Sequence, residues 1–124
     1  MKAQAAPPEW LLDEARRLLT RSGERAQGVW PRAAAHLTRQ ALEEALQLYW
    51  EERAPSLAGL SMKAQLACLP TYFGDAELAG RLRVSWARLS GACHHHAYEL
   101  APSAGELGGW IEVVAEFWRQ VKRE

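Results

Sequence analysis

The residues of this chain best equipped for chemistry stand in one run, Arg88-Leu-Ser-Gly-Ala-Cys93-His94-His95-His96-Ala-Tyr98-Glu99-Leu100. Three of the four histidines in the sequence are adjacent here, one to two helical turns after an arginine. Imidazole exchanges protons near neutral pH and is also the commonest metal ligand. Metal binding and proton transfer are therefore the two chemistries to weigh.

Helical geometry separates them. Consecutive positions on an α-helix point about 100° apart, so His94, His95 and His96 cannot converge on one ion. The pairs able to share a ligand are His95 with Glu99 and His96 with Glu99, and a di-metal centre would need carboxylates from other helices. Glu-x-x-His occurs nowhere in the chain. A metal-binding bundle thus ranks third among the readings, and no metal or cofactor is assigned. Positions seven apart return to nearly the same face, which aligns Arg88 with His95 and brings Arg81, Ser85, Ala92 and Glu99 close to that line. His94 shares a face with Ser90, Arg83 and Tyr98, whereas His96 falls on the apolar seam and reads as a core histidine.

Arginine and histidine on one face suit the cleavage of RNA. RNA carries its own nucleophile, the 2′-OH. It needs a base to take that proton, an acid for the leaving 5′-oxygen, and a cation for the charge that develops on phosphorus. Imidazole can do the first two jobs and a guanidinium fork the third. The candidate catalytic residues are Arg88, His94, His95 and Tyr98, with Tyr98 placed to position RNA or to pack a dimer.

The elements that must position them are helices. Pro7-Pro8 opens the first, because proline is tolerated in the first turn; Leu11, Leu12, Ala15, Leu18 and Leu19 form its apolar face, and Ser22-Gly23 ends it. The second runs from near Pro31 to about Arg53 and stops before Ala54-Pro55. A Pro-Ser-Leu-Ala-Gly link leads to a shorter third helix, about Ser61 to Leu69, which Pro70 should end or kink. Asp75 is a good N-cap for the fourth, about Ala76 to Leu100. Its seam, Leu82, Trp86, Leu89, Cys93, His96 and Leu100, steps by alternating fours and threes. Ser103-x-x-Glu106 is a capping box that opens the fifth, where Leu107, Trp110, Val114, Phe117 and Val121 repeat the pattern. Lys122 and Arg123 complement its C-terminal dipole. No segment alternates like a strand. The expected fold is all-α, an antiparallel up-and-down bundle of four long helices plus one short helix.

Composition sets the remaining bounds. At 124 residues the chain reads as one domain, 1–124, large enough to bury a core without disulfides. Apolar residues make up 48% and charged residues 24%, which argues against disorder. Lysine plus arginine and aspartate plus glutamate balance at 15 each, so the global positive charge of a duplex-binding protein is absent. There is no uninterrupted apolar run long enough for a membrane span, and Met1 to Pro8 lacks the apolar stretch of a secretory signal. A cytoplasmic location and no membrane partner are expected. Cys68 and Cys93 have no CxxC-type companion and read as small apolar residues between helices. His36 reads as a lone surface or boundary histidine. The six tryptophans, 10, 30, 50, 86, 110 and 118, are expected to fill the core rather than to stack on bases.

With these elements in place the chain resembles the HEPN superfamily, small all-α bundles with an arginine, a gap of a few residues and a histidine late in a long helix. Arg88-x₆-His95 and Arg88-x₅-His94 both meet that spacing. His96-Ala-Tyr98 is similar to the His-x-Tyr ending of HEPN toxins from toxin–antitoxin pairs, and the stretches Cys93 to Leu100 and Pro102 to Leu107 look like small actinobacterial HEPN-like proteins. The chain differs from the family in having Leu89 where a polar residue usually follows the arginine, and in the longer gap from Arg88 to His96. The resemblance implies a homodimer whose fourth helices meet, so that both copies of Arg88 and of the histidines line one cleft. It further implies RNA as the substrate, cleaved to a 2′,3′-cyclic phosphate, and an antitoxin or other protein as a possible partner. The rival reading is a non-enzymatic module that dimerises or holds a partner through a Trp-rich or His-rich face.

Overall fold

The computed structural model describes residues 6–21, 30–93 and 101–123. Five α-helices follow one another: α1 (Pro8–Thr20), α2 (Trp30–Arg53), α3 (Met62–Tyr72), α4 (Ala76–Cys93) and α5 (Ala104–Arg123), with a 3₁₀ turn, Pro55–Gly59, between α2 and α3. No strand occurs among the described residues. The fold is an all-α bundle, as the periodicity requires.

Side-chain pairings give the helix directions. On α1 and α5, the Trp118 Nε1–H donates to Glu9 Oε2 (2.5 Å), Arg16 pairs with Glu112 (3.2 Å), and a Cβ on Gly108 would lie 3.8 Å from Leu19. Residue numbers rise along one helix as they fall along the other, so the two are antiparallel. Two apolar clusters then place the ends. At one end Tyr49, near the finish of α2, meets Phe73 and Phe117 at 5.9 and 5.8 Å between ring centroids. At the other end Ala34, Ala35, Leu89 and Leu107 are buried together, with Leu18, Leu19, Trp30, Ala92, Cys93 and Trp110 packed on them. That second group joins the last turns of α1 and α4 to the first turns of α2 and α5. Direction therefore alternates in the order α1, α2, α4, α5, and α2 runs parallel to α5 across the diagonal.

Local chemistry explains the helix boundaries. Pro8 occupies the first turn of α1, where its missing N–H costs nothing. The Ser61 hydroxyl caps α3 by accepting from Ala64 N (3.2 Å). Asp75 Oδ1 accepts from Leu78 N (3.0 Å) at the start of α4, and its other oxygen accepts from Gln120 Nε2 on α5 (3.2 Å). The capping box of α5 closes in both directions, Ser103 N to Glu106 Oε1 (3.0 Å) and Glu106 N to Ser103 Oγ (3.1 Å).

Two expectations are corrected and one link takes a defined form. Pro70 does not end α3; the helix continues to Tyr72 and closes with Phe73 N bonded to Leu69 O at 2.9 Å. An exposed proline one turn from a helix end removes a single hydrogen bond, and no long run of helix beyond it has to bend. The Pro-Ser-Leu-Ala-Gly link is a 3₁₀ turn, fastened to α3 by the buried Gln65, whose Nε2 donates to Leu60 O at 2.8 Å. Of the six tryptophans only Trp50 is wholly buried; Trp10 is 51% exposed, and Trp30, Trp86, Trp110 and Trp118 lie half-buried. A bundle this slender has room at its centre for few indoles, so most sit at helix boundaries with one edge wet.

No helix among the described residues is long and apolar enough to cross a membrane.

Candidate functional surface on α4

The position of Arg88 follows from the seam of α4. Leu78, Ala79, Leu82, Ser85 and Leu89 are buried, with Trp86 and Cys93 half-buried beside them, which turns the opposite arc of the helix outward. That outward arc carries Arg81, Arg83 and Arg88, all exposed. Arg81 leans toward Glu77, 3.9 Å away, whereas Arg83 and Arg88 make no ion pair among the described residues. A guanidinium without an ion pair presents a fork of donors that suits an anion. The line through Arg81, Ser85, Arg88 and Ala92 runs along the edge between surface and core: its arginines are exposed, Ser85 is buried and Ala92 is half-buried.

Between the arginines lies a strip without acid–base side chains. Ala76, Gly80, Val84, Ala87 and Gly91 step by four, four, three and four along the outward arc. Val84 is 55% exposed, and nothing lies within 4 Å of where a Cβ would stand on Gly80 or Gly91. An outward helix face is usually polar and charged. Here its centre is small and apolar, with arginine at the edges. The signal was present as a second periodic stripe, opposite the seam on the same helix.

His94, His95, His96, Tyr98 and Glu99 lie outside the described residues, which on this helix reach Cys93. The structure therefore places Arg88 alone of the candidate catalytic set. Other candidates can be sorted. Burial raises the Cys93 thiol above its ordinary range; Arg39 acts in the opposite direction and Glu43 in the same one. A thiol held protonated is a poor nucleophile, so Cys93 serves packing, as its position on the seam suggests. Trp86 turns its Nε1 inward, buried without a hydrogen-bond partner among the described residues, as is the Oγ of Ser90. His36, on α2, is exposed. Trp10, the most exposed indole, belongs to α1, which packs on α2 and α5. Among the described residues no three His, Cys, Asp or Glu side chains gather in a group that could hold a metal.

No family model, curated protein or solved structure matches this chain.

Proposed function

We propose that this chain acts on RNA as a metal-independent endoribonuclease of the HEPN type, binding its substrate along α4 and working as a homodimer in the cytoplasm. The observation that carries the reading is Arg88: an exposed guanidinium with no ion pair among the described residues, on the outward arc of α4, six and seven positions before two histidines. In this reading Arg88 holds the phosphate and stabilises charge as it develops. His95 or His94 takes the 2′-OH proton and the other, or its copy across the dimer, protonates the leaving oxygen. Tyr98 positions RNA. A toxin, defence or RNA-processing role, with an antitoxin as protein partner, rests on the resemblance of Arg88, His94, His95 and His96-Ala-Tyr98 to the HEPN pattern.

The test is incubation of the purified protein, prepared without a histidine tag, with total RNA in the presence and absence of chelator. Cleavage that survives chelation, leaves 2′,3′-cyclic phosphate ends and disappears in His95→Ala or His94→Ala supports the proposal. Intact RNA after incubation with the wild-type protein rejects it.

The second reading, a non-enzymatic dimerisation module, is favoured by the small-residue strip on α4. Small side chains let two helix backbones approach closely, and a self-complementary patch is what a two-fold dimer needs. Gel filtration of Val84→Glu against wild type checks the dimer surface. A dimer that becomes monomeric supports it, and a wild-type protein that elutes as a monomer at high concentration excludes it for both readings.

A further inference from the structure

We draw no further inference here: the strongest candidate, the strip of small residues along the outward face of α4 from Ala76 to Gly91, belongs to the dimer surface already proposed, and nothing else in the structure shows what covers it.

Discussion

The two ends of the bundle are built differently. At the end reached by α3, large rings interlock: Tyr49 with Trp50 (5.1 Å), Phe73 with Phe117 (5.1 Å), and Trp50 with Tyr72 (5.2 Å). The Arg53 guanidinium lies 4.4 Å from the Tyr49 ring centroid, a cation–π contact. At the end where α4 runs to Cys93, the cluster of buried residues among those described is two alanines and two leucines. A core of rings buries far more apolar area per residue than one of alanines, so among the described residues the first end should contribute more to stability. Arg88 lies exposed on the surface of that second end. Among the described residues its guanidinium makes no ion pair.

The largest expected effect tests that contrast directly. Phe117→Ala should lower unfolding free energy by about 3–5 kcal/mol, because it empties a site bounded by Tyr49 and Phe73. Leu107→Ala, at the other end, should cost nearer to about 2 kcal/mol, because it removes fewer buried atoms than Phe117→Ala. Urea denaturation of both variants gives the comparison; equal losses would erase the distinction between the ends.

A smaller effect belongs to the α5 cap. Ser103→Ala removes the acceptor for Glu106 N and should destabilise by about 1 kcal/mol, with thermal unfolding as the readout. Acid should act on the opposite end of the bundle. The bond from Leu78 N, then that from Gln120, holds the Asp75 carboxyl below its usual range, and Glu116 is lowered mainly by Arg119 and then by Gln120. A depressed carboxylate contributes stability above its unfolded pKa and loses it as pH falls through the folded value. The contribution of Asp75 is therefore whole above about pH 4–5 and fades below it. Asp75→Asn should unfold more easily than wild type at neutral pH, and the gap should narrow in acid. A gap that stays constant with pH contradicts this account. At the Arg88 end the corresponding probe is Cys93. Its alkylation should be slow at neutral pH, with a rate profile displaced to higher pH than that of an unburied thiol.

Much of this architecture was legible because its causes are local. The Ser103–Glu106 box, the Asp75 cap and the Pro8 start each depend on a few neighbouring residues, and the structure realises all three. Leu82 and Leu89 declared their face by spacing alone. What escaped depends on context. Whether Pro70 stops a helix is decided by how much helix follows it, and here only Thr71 and Tyr72 do. Whether a tryptophan is buried is decided by the width of the bundle, so composition alone overstated the core. Gln65 is polar yet nearly fully buried, and its Nε2 donates to the carbonyls of Ala58 and Leu60, a partnership no periodicity announces. On the candidate surface the outward placement of Arg88 followed from the seam opposite it. The small-residue strip is not announced by its residue types, because glycine and alanine carry no chemistry of their own.

The central claim is that Arg88 serves a ligand and not the fold. The most direct test pairs two readouts on Arg88→Ala: the urea midpoint, and cleavage of total RNA in the presence of chelator. An exposed side chain with no ion pair among the described residues should change stability by no more than about 0.5 kcal/mol, while cleavage is lost. A variant that unfolds early, or one that cleaves RNA as the wild type does, would contradict the claim.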